Sequence, residues 1–179
     1  MPVESLNFYL GLATIMMQIA AVALLALFFL RTRFPDLEDI AAFVRKWGLW
    51  AGFALTFGGL TASLFYSEVL GFAPCGLCWV MRIFMYSQVV LFAVALWKRD
   101  RGIADYSIAL SIFGLLVGLY QHYLQMGGTS VLPCPATIAE ATDCAQRFFF
   151  EFGYITFPLL GATLFALLIV TMLFVRKRV

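Results

Sequence analysis

Charged residues are scarce in this sequence. Asp, Glu, Lys and Arg make up 12% of its 179 residues, whereas about a quarter is usual for a soluble domain. Hydrophobic residues account for 63%, and the mean hydropathy is +0.94. These values exclude a soluble globular domain and indicate a polytopic membrane protein. The net charge of +2 is too small to suggest a nucleic-acid partner, and the sequence has no internal repeat or low-complexity segment.

Long apolar stretches dominate the chain instead. Five of them are long enough to cross about 30 Å of hydrocarbon, which takes about 20 helical residues. They cover residues 6–30, 47–70, 78–97, 103–124 and 154–175. Backbone polar groups in lipid must be hydrogen-bonded internally, so these stretches are predicted to be packed helices. We therefore predict an all-α membrane protein: a four-helix transmembrane bundle (47–179), preceded by one additional N-terminal transmembrane helix (1–30) and a cytoplasmic connector (31–46).

The basic residues predict the topology. Ten of the twelve Lys and Arg residues follow the first, third and fifth stretches, which all end on the same side. The positive-inside rule places that side in the cytoplasm, with the N-terminus outside and the C-terminus inside. The segment before the first stretch carries Glu4 and no Lys or Arg, and its apolar run exceeds the roughly 7 to 15 residues of a signal core. We therefore expect a retained helix. The connector is either a short interfacial helix or a solvated loop.

Four cysteines form two pairs on the predicted outer face. Cys75 and Cys78 stand at the start of the third span, where the positive end of a helix favours a reactive thiolate. So close a pair can cycle between dithiol and disulfide. Cys134 and Cys144 lie in a polar outer loop, about 125–152, and can exchange disulfides with the first pair. The arrangement indicates an electron relay into the membrane.

Two other polar residues are candidates for the acceptor site. Arg82 is the only Lys or Arg within a predicted span, and it shares a helical face with Cys78, four residues before it. A cation there stabilises a thiolate and the charge on a reduced acceptor; the alternative is snorkelling towards the interface. His122, the only histidine, can transfer protons near the outer end of the fourth span, or can be simply a hydrogen-bonded polar residue.

Other uses of the cysteines are less consistent with the sequence. A zinc site usually has two tight cysteine pairs, and only Cys75 and Cys78 are tightly spaced. Covalent haem attachment needs a histidine directly after Cys78, where Trp79 stands. Purely structural disulfides remain open, and they would fit a non-enzymatic membrane assembly or transport subunit whose cysteines only brace its outer loops.

Three segments carry a resemblance to a known family. They are residues 74–82 (PCGLCWVMR), 120–125 (YQHYLQ) and 153–158 (GYITFP), the last of which follows Cys144. In their order, spacing and topology they resemble the disulfide bond formation proteins of the DsbB type, including the shorter Gram-positive branch often called BdbC. The vitamin K epoxide reductases are similar in chemistry, but in them the loop cysteines precede the tight pair.

The resemblance implies a thiol:quinone oxidoreductase of the bacterial inner (plasma) membrane. In such a protein, the thiolate of a DsbA-like thioredoxin-fold partner attacks the disulfide between Cys134 and Cys144, and the partner is joined transiently to Cys134. Cys144 then attacks Cys75, and Cys78 becomes the thiolate that faces a membrane quinone, ubiquinone or menaquinone.

The resemblance also assigns quinone binding to Arg82 and His122, and it implies no metal. The first span is extra relative to the family's four helices. Packing against the bundle and assistance in insertion are both open as its role.

Overall fold

The computed structural model describes residues 3–129 and 143–176. Its helices are α1 (Val3–Leu30), α2 (Leu37–Leu64), α3 (Gly76–Lys98), α4 (Ile103–Gln125) and α5 (Phe157–Val175). A π-helical turn, Phe65–Val69, extends α2, and two short antiparallel strands, β1 (Phe150–Glu151) and β2 (Ile155–Thr156), precede α5. Five helices in the described ranges are long and apolar enough to cross a membrane. The predicted fold class, a helical transmembrane bundle with one added N-terminal helix, is confirmed.

Helix α5 lies at the centre of the bundle, where it packs against α1, α2 and α4. In its most apolar 18-residue window 78% of the residues are buried, compared with 6% in α1. An apolar sequence on every side is typical of a helix without a solvated face. Helix α1 covers one side of α5, and Gln18 Nε2 lies 3.5 Å from Thr163 Oγ1 at their contact. The extra helix therefore packs against the bundle.

Helices α4 and α5 approach each other closely at two glycines. A Cβ atom added at Gly114 would lie 2.6 Å from the ring of Phe165, and one at Gly118 would lie 3.0 Å from the carbonyl oxygen of Pro158. Small residues permit this approach of two helices in a membrane. The two glycines therefore allow the close packing of α4 against α5.

A buried polar network joins α3 to α4. Gln88 Nε2 donates to Ser111 Oγ at 3.0 Å, and Ser107 Oγ donates to Gln88 Oε1 at 2.6 Å. All three residues are almost completely buried. Such hydrogen bonds satisfy polar groups that would be unpaired in hydrocarbon. The two helices are neighbours, as the short turn between them predicts.

The predicted connector at 31–46 is largely helical. Helix α2 begins at Leu37, directly after Pro35 and Asp36, so most of the connector forms the first turns of a long helix. Glu38 and Asp39 lie in its first turn, where acidic side chains interact favourably with the positive end of the helix. The alternatives of a separate interfacial helix and a solvated loop are both wrong for this segment.

Helix α5 begins later than predicted, at Phe157 instead of residue 154. Thr156 is its N-cap, and its hydroxyl accepts a hydrogen bond from the backbone N–H of Leu159 at 3.4 Å. Pro158 occupies the first turn, where it costs no helical hydrogen bond. The residues before the cap form the β1–β2 hairpin.

Successive helices are antiparallel, which separates two ends of the bundle. The starts of α3 and α5 lie with the end of α4 at one end, here called the cysteine end because Cys75 lies there. The ends of α1, α3 and α5 lie at the opposite end, here called the basic end because Arg31, Arg99 and Arg176 lie there.

Candidate active site

The first cysteine pair is positioned by the start of α3. Cys75 is the N-cap residue, with extended backbone angles (φ −76°, ψ 171°), and Cys78 lies in the first helical turn. Gly71, at φ +74°, redirects the chain after the π-helical turn, and Pro74 precedes the cap. The two Sγ atoms are 3.1 Å apart, and both cysteines are free thiols in this structure. The pair therefore has the proximity that dithiol–disulfide exchange needs.

Gln121 of α4 contacts both sulfur atoms. Its Nε2 lies 3.1 Å from Cys75 Sγ and 3.1 Å from Cys78 Sγ, and the residue is 1% exposed. Its Oε1 is buried and has no hydrogen-bond partner among the described residues. One amide thus supplies a hydrogen-bond donor to the pair and leaves an acceptor available for another group.

The environment of Cys75 favours its protonated form. Its hydrogen bond with Cys78, followed by burial, raises the pKa of the Cys75 thiol above its ordinary value. Cys75 is 4% exposed. In the dithiol state the surroundings of Cys75 therefore favour its protonated thiol.

Arg82 is held by one residue of the neighbouring helix. Its Nε donates to Ser63 Oγ at 2.9 Å, and its Nη2 donates to the carbonyl oxygen of Ser63 at 2.8 Å. The guanidinium carbon also lies 5.3 Å from the ring centroid of Trp79. Arg82 is 5% exposed, and its Nη1 has no hydrogen-bond partner among the described residues. This burial is inconsistent with the alternative of a snorkelling side chain.

A cavity joins these groups at the cysteine end. Cys75, Cys78, Arg82, Gln121 and Cys144 all line it, and most of its other lining residues are apolar. Its volume is about 120 Å³, measured to the centre of a water-sized sphere. On that measure one water needs roughly 10–15 Å³, so the cavity has room for a ring-sized organic molecule. Apolar walls with a few convergent polar groups are typical of a small-molecule site.

Cys144 lies beside the first pair. It packs with Cys75 and Leu124 in one buried cluster, and it is 2% exposed. Cys144 is disulfide-bonded in this structure. Cys134, the other predicted loop cysteine, lies outside the described residues. Three of the four cysteines predicted to carry the chemistry are therefore described, and they line one cavity.

His122 is directed to a different partner. Its Nδ1 lies 2.9 Å from Thr156 Oγ1, the hydroxyl that caps α5. The described lining of the cavity does not include His122. The assignment of His122 to quinone binding stays a prediction, and its observed contact is with the start of α5.

Gln121 is the site residue that sequence reasoning missed. Its amide carries neither a net charge nor a titratable proton, whereas the neighbouring His122 is the only histidine of the sequence. A usable signal was present, because Gly114, Gly118, Gln121 and Gln125 recur at the spacing of one helical face, and all four are buried. The small residues of that face already marked the side of α4 that meets other helices.

The chain is similar to known disulfide bond formation proteins. The family profile described as disulfide bond formation protein DsbB matches residues 44–175. The SPbeta prophage-derived disulfide bond formation protein B of Bacillus subtilis is 36% identical over 116 residues, which cover 65% of this chain and 76% of that protein.

Two further relatives carry similar names. Disulfide bond formation protein C of Bacillus subtilis is 31% identical over 127 residues, covering 69% of this chain and 88% of that protein. A probable disulfide formation protein of Chlamydia pneumoniae is 26% identical over 135 residues, covering 75% of this chain and 96% of that protein. No solved structure matches the chain.

Proposed function

Because the chain belongs to the DsbB family of disulfide bond formation proteins, we propose that it is a thiol:quinone oxidoreductase that reoxidises a thioredoxin-fold partner. The observation that carries this proposal is the shared cavity. Cys75, Cys78 and Cys144 line it together with Arg82, which presents a buried nitrogen atom that has no partner among the described residues. Thiol exchange and an electron acceptor can therefore meet in one place.

The disulfide exchange begins at the loop pair. The partner's thiolate attacks Cys134 in the Cys134–Cys144 disulfide, forms a mixed disulfide with it and releases the Cys144 thiolate. Cys144 then attacks Cys75 and opens the Cys75–Cys78 disulfide, which releases Cys78 as a thiolate. The packing of Cys144 against Cys75 supports this order.

Two further exchanges complete the cycle. The partner's second thiol attacks its mixed disulfide, which releases the oxidised partner and the Cys134 thiolate. Cys134 then attacks Cys144 in the Cys144–Cys75 disulfide, which restores the loop disulfide and leaves Cys75 and Cys78 as a dithiol. The partner has lost two electrons and two protons, and the inner pair holds them. The raised pKa of Cys75 keeps one proton on that sulfur.

The cavity residues fit a quinone as the acceptor. A bound quinone supplies the two-electron oxidation of the dithiol and takes up two protons. Arg82 Nη1 and Gln121 Oε1 are buried polar atoms without partners among the described residues, and both residues line the apolar cavity. Arg82 would donate to a quinone oxygen and stabilise negative charge there. Gln121 would keep the two sulfurs hydrogen-bonded.

We also place the protein in the bacterial plasma membrane with the cysteine end outside. Of the ten Lys and Arg residues that the structure describes, eight lie towards the basic end, which supports a cytoplasmic location for that end. An outer location lets the loop cysteines meet an extracytoplasmic partner in a compartment where disulfides persist.

The test is quinone reduction by the purified full-length protein when a reduced thioredoxin-fold protein is added. We expect one quinol per partner dithiol oxidised, and no quinol from Cys78→Ser. Thr61→Ala, which removes an exposed hydroxyl from α2, is the matched control and should retain activity. Partner oxidation without quinol formation would contradict quinone as the acceptor. Cysteines that stay oxidised in the presence of the reduced partner would favour purely structural disulfides.

A further inference from the structure

The basic end of the bundle contains a second cavity, far from the cysteine pair. Arg31, Arg45, Arg101 and Arg176 line it, and Glu38 is the one acidic residue in its described lining. Its volume is about 440 Å³ to the centre of a water-sized sphere. We call this cavity the basic cleft.

The four arginines of the basic cleft come from four separate parts of the chain. Arg31 directly follows α1, Arg45 belongs to α2, Arg101 lies in the turn between α3 and α4, and Arg176 directly follows α5. Tertiary packing, and not one basic stretch of sequence, therefore brings their charges together. Two of the four come from outside the segment that the family profile matches, residues 44–175. The cleft depends on the extra helix α1.

Arg31 is held inward at this cleft. Its guanidinium carbon lies 4.5 Å from the ring centroid of Phe28 and 5.1 Å from that of Phe174, and the residue is 9% exposed. A basic residue that only anchored the bundle would extend into the aqueous phase. The two rings instead orient Arg31 as part of the wall of the cleft.

Two acidic side chains of the described residues pair with arginines of the cleft. Glu38 Oε1 lies 3.5 Å from Arg45 Nη2, and Asp105 Oδ1 lies 2.7 Å from Arg176 Nε. Among the described residues, four arginines and two carboxylates meet at this concave site, so positive groups outnumber negative ones there. Such a site attracts anions, and arginine forks suit phosphate oxygens in particular.

The position of the cleft, at the level of the bundle where the membrane–water interface is expected, favours a lipid as the source of the anion. Trp47 and Trp97 lie near the same end and are 49% and 87% exposed. Exposed tryptophans of this kind mark the membrane–water interface, where lipid headgroups lie. Basic pockets between transmembrane helices bind anionic headgroups at that level. We propose that the basic cleft binds an anionic phosphate group, supplied by a phospholipid headgroup.

The test uses the full-length protein in neutral detergent, with its thermal unfolding midpoint followed during titration with short-chain phosphatidylglycerol. We expect the lipid to raise the midpoint of the wild-type protein. Arg101→Gln should raise the half-maximal lipid concentration about fivefold, as expected for the loss of one interfacial arginine. Arg31→Gln should do the same, and Arg101 is exposed at a turn, so its variant remains informative if Arg31→Gln does not fold.

Two variants serve as matched controls. Arg33→Gln and Lys46→Gln each remove one positive charge near the same end, and both residues are exposed and absent from the described lining of the cleft. They should leave the half-maximal concentration unchanged. Glu38→Gln should lower it, because it removes the acidic group that competes with the ligand for Arg45.

The remaining titrations identify the source of the phosphate. Short-chain phosphatidylcholine, whose headgroup has no net charge, should have little effect. Inorganic phosphate acting at the same concentration as phosphatidylglycerol would support the phosphate site and reassign its source to a soluble ion. Equal effects of the two lipids would overturn the proposal. It would also be overturned if the control variants raised the half-maximal lipid concentration as much as the cleft variants do.

Discussion

Ser63 accepts two hydrogen bonds from Arg82, one at its hydroxyl and one at its carbonyl oxygen, at 2.9 Å and 2.8 Å. One residue of α2 thus fixes the plane of a guanidinium carried by α3. The third nitrogen, Nη1, is the atom without a partner among the described residues, and Arg82 lines the cavity. Burying an arginine in this way is costly unless its hydrogen-bonding capacity is used, so a ligand at Nη1 would stabilise the site.

Arg82→Lys should raise the KM for quinone about tenfold, and Arg82→Ala should raise it further. Lysine keeps the charge, but its single nitrogen cannot bind Ser63 twice and still face the cavity. The expected change corresponds to roughly 1.4 kcal/mol. The measurement is quinone-dependent turnover beside quinone-free disulfide exchange with the partner, which should be largely unchanged. Unaltered quinone kinetics in a folded Arg82→Ala protein would leave Arg82 with a structural role only.

Ser63→Ala should reproduce part of the Arg82→Lys effect. The substitution removes the hydroxyl acceptor and retains the carbonyl acceptor, so Arg82 keeps one of its two bonds to this residue. A single lost hydrogen bond of about 1 kcal/mol predicts roughly a fivefold higher KM for quinone. Steady-state kinetics with varied quinone will measure it, with Thr61→Ala as control. A fall in kcat with no change in KM would contradict the positioning role.

Gln121→Leu should slow quinone reduction more than His122→Leu does. Gln121 contacts both sulfurs of the inner pair, whereas His122 bonds to the cap of α5. Loss of the amide donor should reduce single-turnover quinone reduction about tenfold, since hydrogen bonds to a charged group contribute roughly 1.5–3 kcal/mol. Pre-reduced protein mixed rapidly with quinone isolates this step. The opposite ranking would favour the histidine that the family resemblance suggested.

The sequence alone identifies candidate site residues when their placement in a membrane is energetically costly or their spacing is chemically specific. Arg82 was predictable because a charge within a span needs a function or a partner. The cysteine pair at a helix start was predictable from its spacing. Gln121 was harder to identify, because an uncharged amide in a span gives no charge signal, and only the helical face that it shares with Gly114 and Gly118 distinguishes it.

The central position of α5 was not predictable from hydropathy. Helices α1 and α5 both have a mean hydropathy of 2.4 in their most apolar windows, although one is 6% buried and the other 78%. Lipid tails are as apolar as leucine side chains, so an apolar sequence does not distinguish a lipid contact from a protein contact. Helix arrangement depends on packing details such as the Gly114 contact, which become visible only when the helices are placed together.

Gly114→Ala should destabilise the bundle, and Gly58→Ala should not. A Cβ at Gly114 would meet the ring of Phe165 at 2.6 Å, while a Cβ at Gly58 has nothing within 4 Å. Overpacking of this kind costs about 1–3 kcal/mol. Thermal unfolding in detergent provides the comparison, and both glycines lie within helices, so the backbone effect of alanine is matched. Equal midpoints for the two variants would contradict the close contact between α4 and α5.

The proposed topology predicts opposite labelling of two engineered cysteines. In a variant whose native cysteines are replaced by serine, Arg147→Cys should react with a membrane-impermeant maleimide on intact cells. Lys98→Cys should react only after permeabilisation. Both positions are exposed, and they lie at the cysteine end and the basic end respectively. Labelling of Lys98→Cys, but not of Arg147→Cys, on intact cells would indicate the opposite orientation.

The burial of Cys144 predicts which loop cysteine receives the partner. At 2% exposure, its sulfur is inaccessible to a folded protein, so the partner should join Cys134. In a Cys144→Ala variant, the Cys134 thiolate should attack a single-cysteine partner activated with thionitrobenzoate, releasing that coloured thiol and forming a covalent complex. Cys134→Ala should react at least tenfold more slowly, because only the buried sulfur remains in the loop. Both variants should carry Cys75→Ser and Cys78→Ser, so that the inner pair cannot contribute. Absorbance of the released thiol and a non-reducing gel measure the two rates, and faster trapping through Cys144 would reverse the assignment of the loop pair.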